Sequence, residues 1–497
     1  MAGLDPSVSN RLEAITSGRY PPLVLDLDGT LIRNDLTFEL FALCAKWRPL
    51  MLFRIVFIAL FDRGHAKRLL VERFGHHIDP ETLPYEPEVL ALMQRYKRRG
   101  HSIELVSGSD ERLVERIARH NDIARFKGSK PGLNLTASSK AEYLKQIHGS
   151  NFLYVGNAKS DLAVWRAGQG GFGVNAPVKS YALTTDRGAR NTVEELVPRR
   201  SETPALIKSL RMHQWAKNLL LLIVPALQIV HLTALDGLKL LAALICFSLL
   251  ASATYLINDV LDIQDDRRHK NKRLRPLASG LLSIPTACAF VAAVLPASLI
   301  AAFLLDRAFG DVLFLYLIVT ALYSCGLKRL AIIDVFTLAG LFSIRVIAGA
   351  FLIGYPPSGW LLTFIGCFFL SLAIGKRFVE IQALDSQSDT PGRGYVAGDA
   401  IPLLATGAGI GMIAALAMLI YGLSAPVSVF KSEYVVLIGS GLLLAWIMRF
   451  WLLAGRREIA DDPVIYAIRD RTSLMLLGSI SMVFAFDLTS PLWISLF

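Results

Sequence analysis

Apolar and polar positions divide the chain into two stretches of different periodicity. Up to about residue 200, short apolar runs alternate with helical patterns. "LVLDLDG" (23–29), "SIELVSG" (102–108) and "NFLYVGN" (151–157) each read as a buried strand followed by a turn. Strands alternating with helices predict an open, mostly parallel α/β sheet, whose ligands bind at the carboxyl ends of its strands. From about Trp215 onward the apolar runs lengthen to roughly 18 residues or more, enough to cross a bilayer core. Nine spans are predicted, at 218–234, 239–257, 283–304, 310–326, 331–353, 359–378, 401–423, 433–453 and 474–495. The expected fold class is an α/β domain followed by an all-α, polytopic bundle of nine transmembrane helices.

Charge orients that bundle. The formal net charge is +11, with 52 Lys and Arg against 41 Asp and Glu in 497 residues. The bases cluster between apolar runs, at 266–275, 327–329, 376–378 and 455–471, and the alternate connections carry few. That placement argues against nucleic acid and for loops beside anionic headgroups or phosphate substrates. The positive-inside rule puts residues 1–217 in the cytoplasm and the C-terminus outside. The first 20 residues lack the apolar core of a signal peptide, in keeping with that orientation. The domain boundaries expected are 1–200, an interfacial linker helix over 201–217, and a membrane domain over 218–497. Cys44, Cys246, Cys288, Cys325 and Cys367 show neither paired nor metal-ligand spacing, so neither disulfides nor zinc is expected.

Candidate chemistry appears at the first strand end, in "DLDGTL". Asp26 and Asp28 are two apart, so on extended chain they face one way, and the Gly-Thr turn lets the chain bend away. Two carboxylates there can share Mg²⁺, one attacking phosphorus while the other exchanges a proton with the leaving group. A capped turn is the plainer alternative. Three later features favour chemistry: Ser107 after "IELV", Lys140 in "NLTASSKAEYL", and Asp161 in "YVGNAKSDLAVWRAG". In this order the motifs resemble those of the haloacid dehalogenase (HAD) superfamily, over about residues 20–185. The resemblance implies a Rossmann-like sheet with a helical cap over about 35–99. It also implies Asp26 as nucleophile, Asp28 as general acid/base, Ser107 and Lys140 as phosphoryl ligands, and Mg²⁺ on Asp26, Asp28 and Asp161. Asn157 departs from the pattern, which usually has an acid directly after the glycine, and predicts weaker metal binding. Within the cap, the apolar run "WRPLMLFRIVFIALF" (47–61) is too short to span a bilayer and reads as a buried cap helix; a membrane-facing lid is the alternative.

The second constellation is "NDVLDIQDDRRHKNKRLRPLASG" (258–280). Spacings of three and four put Asp259, Asp262 and Asp266 on one helical face, a repulsive arrangement unless cations bind. Asn258 would orient them, and the bases that follow, among them Lys272, Arg273 and Arg275, can grip phosphate oxygens. This segment, with the nine spans, resembles the UbiA superfamily of membrane prenyltransferases, over about 205–497. The resemblance implies Mg²⁺–diphosphate at the cytoplasmic end of a helical bundle and a long lipid along a lateral opening. Aromatic prenyltransferases of that superfamily carry a second DxxxD motif near the end of the sixth span. Here "GKRFVEIQALDSQSD" (375–389) puts Lys376 and Arg377 at the membrane end, with Asp385 and Asp389 farther out.

That change, with "RMHQWAKN" (211–218), "YSCGLKRLAIIDV" (323–335) and "DDPVIYAIRDR" (461–471), resembles the polyprenyl-phosphate phosphoribosyltransferase branch. The implied substrates are 5-phosphoribosyl diphosphate and polyprenyl (decaprenyl) phosphate, in a bacterial inner membrane with both sites cytoplasmic. Lys217, Lys328, Lys376 and Arg377 are candidates for the lipid phosphate or the 5-phosphate. Asp334 is read as assisting the site, and Arg345 as a structural ion pair or lipid-headgroup contact. Joined to a phosphatase, such a transferase would make polyprenyl-phosphoryl-ribose, a precursor of cell-envelope polysaccharide of the arabinan type. Alternatives are prenyl transfer to an aromatic acceptor, and a lipid-binding or transport protein with a regulatory soluble domain. Oligomeric state is left open by the sequence.

Overall fold

The computed structural model describes residues 21–177, 182–184, 190–382, 394–424, 430, 432–459, 466–467 and 469–489. The chain folds into two compact units. One comprises residues up to Ser209 together with Tyr255–Phe290; the other comprises Leu210–Thr254 and Val291–Phe497. The segment Tyr255–Phe290, read from sequence as part of the membrane half, thus packs with the N-terminal half.

The first unit is built on a seven-stranded sheet of order β3-β2-β1-β4-β5-β7-β6. Its strands are β1 (Leu23–Leu25), β2 (Ile103–Asp110), β3 (Arg125–Ser129), β4 (Leu153–Gly156), β5 (Gly170–Val174), β6 (Ala182–Thr184) and β7 (Arg190–Val197). All pairings are parallel except β6 with β7. β1 and β4 are fully buried because helices cover both faces of such a sheet, which is why they read as unbroken apolar runs. The three strands expected from sequence are β1, β2 and β4. The order changes direction at β1, flanked by β2 and β4, and ligands of open α/β sheets sit at such a point.

Between β1 and β2 lies the helical cap, beginning with helices Leu36–Trp47, Pro49–Phe61 and Arg63–Phe74. Asp35 and Asp62 cap the first and third, accepting from the Thr37 and His65 N–H groups at 2.7 and 2.9 Å. The middle helix departs from expectation: Ile55 is its one buried residue, so it is not a buried cap helix.

Among the described residues, seven helices are long and apolar enough to cross a membrane: Ala234–Leu261, Ile284–Leu305, Arg307–Cys325, Ile333–Leu352, Gly359–Gln382, Ala397–Ser424 and Glu433–Gly455. They coincide with seven of the predicted spans. The last predicted span, 474–495, is described as far as Thr489 and lies there in helix Arg471–Thr489. The first, 218–234, is not one helix. It forms 3-10 turns over Met212–Leu222, a short helix Ile223–Leu227 containing Pro225, and a turn at Ile229–His231. This segment lies flat on helix Ile333–Leu352, where a Cβ at Gly349 would meet the Leu221 carbonyl oxygen. Asn218 anchors it, donating to Ser248 Oγ at 3.0 Å and accepting from Arg345 Nε at 2.9 Å. Regular helix yields here to backbone approach and a buried amide.

Candidate functional site

Asp26 and Asp28 leave the carboxyl end of β1 as predicted from sequence. Gly29, at φ +71°, turns the chain; a Cβ there would fall 2.0 Å from the Asn157 side-chain nitrogen, so glycine lets that amide lie against the loop. The turn leads to helix Leu36–Trp47, whose Leu36 N–H donates to Asp28 Oδ1 at 2.9 Å. Lys140 Nζ donates to Asp26 Oδ1 at 2.8 Å and to the Tyr154 phenol oxygen at 2.9 Å. Tyr154 in turn donates to Asp161 Oδ1 at 3.1 Å, and Asp161 Oδ2 accepts from the N–H groups of Asn157 and Ala158. On the other side, the hydroxyls of Ser109 and Ser107 donate to Asp28 Oδ2 at 2.6 and 3.4 Å.

The structure thus gathers Asp26, Asp28, Ser107, Lys140 and Asp161 at one end of the sheet. Two participants were missed. Ser109 was legible, being two residues beyond Ser107 on the same strand face. Tyr154 was hidden inside an apolar strand and is recognised only by what it bridges.

The expected three-carboxylate metal site is a different matter. Among the described residues no three His, Cys, Asp or Glu side chains stand together as a metal site. Like charges in a buried space repel, and here each carboxylate takes a protein donor: Lys140 for Asp26, Ser109 for Asp28, Tyr154 and two backbone N–H groups for Asp161. The chemistry of the donor set nevertheless fits Mg²⁺. All ligating atoms are oxygens, as a hard cation requires. Burial pushes the Asp26 carboxyl up, against the pull of Lys140. Burial, with the charge of Asp35 adding to it, pushes Asp28 up to about 7. Carboxylates raised in this way gain from a nearby cation. A cavity of about 230 Å³ opens beside Asp28, lined by Arg33, Phe38 and Asn157 and also by Ser283 and Pro285.

The second constellation is rearranged relative to expectation. The expected continuous helix through Asp259, Asp262 and Asp266 is interrupted at Asp262. Helix Ala234–Leu261 ends before Asp262, which sits at φ −99°, ψ 13° ahead of a new helix, Ile263–Arg268. Asp259 and Asp266 stay close enough to share one cation, while Asp262 takes another. Arg275 Nη1 donates to Asp259 Oδ1 at 3.1 Å and Asp266 Oδ2 at 2.6 Å. Lys46, from helix Leu36–Trp47, donates to Asp262 Oδ1 and Asp265 Oδ2, both at 2.7 Å. Arg275, predicted to hold phosphate, is therefore a bridge between two aspartates. Lys272 and Arg273 are exposed on the turn Lys272–Leu274, and Asn258 is half-buried, its carbonyl accepting the Asp262 N–H.

Behind the aspartates the segment is clamped. Arg267 donates to both carboxylate oxygens of Glu39, at 2.9 and 2.6 Å, and to the Ala278 carbonyl at 3.0 Å. Gln264 donates to Glu39 Oε2 at 2.8 Å. The Glu39 and Arg267 side chains are 0% and 2% exposed, so this is a fully desolvated, two-pronged ion pair. Glu39 and Lys46 are seven residues apart, two helical turns, and so lie on one face of their helix. Neither was singled out from sequence.

In the second unit, Arg377 also departs from expectation. It is buried, donating to Asp334 Oδ2 at 2.6 Å, to Tyr323 at 3.2 Å and to Glu380. Its charge is committed to carboxylates, so it does not present an open phosphate grip. Asp334 is the partner that holds it. Arg345, expected in an ion pair or headgroup contact, donates to Asn218, Tyr316 and the Leu341 carbonyl and lies over the Phe247 ring. Lys217 lies over the Phe342 ring at 5.6 Å, and Lys328 and Lys376 are half-buried. Asp385 and Asp389 lie outside the described residues.

Residues 219–476 match the family model described as the UbiA prenyltransferase family, which is more than half of the chain. The chain belongs to the UbiA prenyltransferase family. Residues 23–166 match the haloacid dehalogenase-like hydrolase model, covering the sheet-end cluster and most of its scaffold. The uncharacterized protein y4nM of Sinorhizobium fredii is 33% identical over 475 residues, 94% of this chain and 91% of that protein. A decaprenyl-phosphate phosphoribosyltransferase of Mycolicibacterium smegmatis is 35% identical over 189 residues. That match covers 37% of this chain and 59% of the relative, so the chain spans about three fifths of the relative's length. A solved UbiA homolog from Archaeoglobus fulgidus, bound to GPP and Mg²⁺, covers 56% of this chain and 96% of its own, at 18% identity and a TM-score of 0.44. This UbiA-family protein is an integral membrane enzyme carrying an HAD-like domain at its N-terminus.

Proposed function

We propose that the membrane half transfers 5-phosphoribose from 5-phosphoribosyl diphosphate to polyprenyl phosphate, and that the HAD-like half then removes the 5-phosphate. The observation that supports the pairing is that one segment carries the candidate aspartates and also lines the cavity beside Asp28. Residues 259–266 bear the aspartates, and Ser283 and Pro285, a few turns on, line the cavity beside Asp28. Ser283 is held there by its hydrogen bond to Glu202 at 3.0 Å. The likeness to a decaprenyl-phosphate phosphoribosyltransferase over the membrane half supports the choice of substrates.

In the first step the anomeric carbon gains oxocarbenium character as diphosphate leaves, and the ionised lipid phosphate attacks it. No strong base is needed; the acceptor must be positioned. Lys272 and Arg273 are placed on an exposed turn to meet anionic oxygens, and Lys217, Lys328 and Lys376 remain the candidates for acceptor phosphate. In the second step an Asp26 oxygen attacks the 5-phosphate, and the ribose oxygen leaves with a proton from Asp28. Water then releases inorganic phosphate from Asp26. Lys140 and Ser107 hold the phosphoryl oxygens, and Tyr154 keeps Lys140 and Asp161 in register. Mg²⁺ held by Asp26, Asp28 and Asp161, and by Asp259, Asp262 and Asp266, would neutralise phosphate charge at the two sites. The proposed orientation puts both sites on the cytoplasmic face.

The test is to supply the full-length protein in nanodiscs with 5-phosphoribosyl diphosphate and polyprenyl phosphate and to weigh the lipid product. Wild type should yield polyprenyl-phosphoryl-ribose, and Asp26→Asn the same lipid heavier by one phosphate. A wild-type product that keeps the phosphate breaks the second step. No consumption of 5-phosphoribosyl diphosphate breaks the first, and prenyl transfer to an aromatic acceptor would replace it.

A further inference from the structure

The cap helix Pro49–Phe61 packs one face on its own unit, through Ile55 with Met51, Leu52, Ile58 and Ala59, and presents a second apolar face to the surface. Of its 13 residues, Ile55 alone is buried. Leu50, Phe53, Phe57, Leu60 and Phe61 are 84%, 75%, 64%, 75% and 79% exposed. So many large apolar side chains on one short element exceed the scattered exposure of an ordinary soluble surface. At about 20 Å the helix is too short to cross a hydrocarbon core of about 30 Å.

The charges around it select the partner. Arg48 precedes the helix, Arg54 lies within it, and Arg63, Lys67 and Arg68 follow it. Asp62 is the lone acid across residues 46–71, and it is engaged as the cap of the next helix. Trp47, 47% exposed, stands at the entry, where an aromatic ring suits the boundary between headgroups and acyl chains. An apolar helix flanked by bases and an aromatic residue matches an anionic bilayer face better than a protein groove, which would need acids to meet the bases.

We propose that Pro49–Phe61 docks the cap onto the anionic leaflet of the membrane, its apolar side chains among acyl chains and Arg48, Arg54, Arg63, Lys67 and Arg68 at the headgroups. This deepens the reading of the HAD-like half as a phosphatase, and rests on it for purpose: Phe38 of the preceding helix lines the cavity beside Asp28, so a cap seated in the membrane opens that cavity to a phosphate carried on a lipid. Each arginine or lysine near an anionic surface adds about 1 kcal/mol of attraction.

The experiment uses full-length protein in nanodiscs of phosphatidylglycerol and phosphatidylcholine, with Phe53 or Phe57 replaced by the photoreactive p-benzoylphenylalanine. Illumination should couple both positions to lipid acyl chains, and pure phosphatidylcholine should cut the yield several-fold. Coupling to a second protein chain, or none to lipid, overturns the proposal; a yield indifferent to lipid charge overturns its electrostatic half. In a second arm, the triple variant F53S/F57S/L60S should lose about tenfold in kcat/KM toward a lipid phosphate monoester while hydrolysing soluble ribose 5-phosphate within twofold of wild type. Equal loss on both substrates would reduce the helix to a structural part. Lipid coupling in a protein that hydrolyses neither ester would leave docking standing and remove the phosphatase reading.

Discussion

The two aspartate clusters meet the same electrostatic problem by opposite means. At the sheet end, Asp161 comes from more than a hundred residues beyond Asp26 and Asp28, and the parallel sheet holds the three near one another whatever their charge. Their repulsion is absorbed by donors, two of them distant in sequence, Lys140 on Asp26 and Ser109 on Asp28, and one near, Tyr154 on Asp161. In the other cluster, Asp259, Asp262 and Asp266 are neighbours in sequence on a helix, and the helix itself gives way at Asp262. The cations that answer them come partly from the following turn, as Arg275, and partly from the cap helix, as Lys46. The carboxyl ends of the central strands impose a site; a helix end negotiates one. The second cluster should therefore depend on its supports more than the first.

The largest effect tests the first cluster alone. Asp26→Asn should lower phosphatase turnover by about 10³-fold or more while leaving consumption of 5-phosphoribosyl diphosphate unchanged, measured on the same preparation by phosphate release and by product mass. Loss of both activities together would mean that the clusters are not separable.

Next comes the clamp. Glu39→Ala strands Arg267 as a buried, uncompensated charge, at a cost of about 3–5 kcal/mol in stability. Thermal unfolding should fall accordingly, and transferase activity with it, since Gln264 and Arg267 lose the anchor of helix Ile263–Arg268. Replacing both partners by apolar residues, Glu39→Met with Arg267→Met, should recover much of the stability, because no charge is then left buried. If the double variant is as unstable as Glu39→Ala, the ion pair is not the source of the effect.

Asp28 offers a pH test of the sheet-end cluster. Its folded value of about 7 exceeds the unfolded value of about 3.9. The folded protein therefore holds this proton more tightly, and the associated stability is present below about 3.9 and lost as pH rises through 7. In chelator, unfolding curves should show that decline between those limits, and Asp28→Asn should flatten it. Mg²⁺ should reduce the slope as well. An unchanged slope in Asp28→Asn would assign the titration elsewhere.

The smallest effect is expected at Lys46, whose partners Asp262 and Asp265 are 28% and 66% exposed. Lys46→Met should cost about 1 kcal/mol or less by unfolding, as partly solvated pairs do. A loss as large as that of Glu39→Ala would mean that Lys46, not Glu39, fastens the segment.

Much of this protein can be read without coordinates. The strands at 23–29, 102–108 and 151–157, seven of the apolar spans, and the order of Asp26, Ser107, Lys140 and Asp161 all follow from local pattern, because periodicity and strand-end chemistry are properties of neighbouring residues. The errors have a common cause. The first span fails as a helix because the chain is drawn onto Gly349 and Arg345, more than a hundred residues away. Arg275 and Arg377 look like open phosphate ligands until Asp259, Asp266, Asp334 and Glu380 are found to hold them. Sequence marks where a charge lies, not which charge neutralises it, since pairing is decided by distances that folding creates. Glu39 illustrates the limit: a lone acid in "FELF" carries no signal, and its meaning depends on Arg267, brought against it from 228 residues along the chain. The alphabet of the two sites lies in local sequence; their wiring arises when burial forces every charge to take a partner.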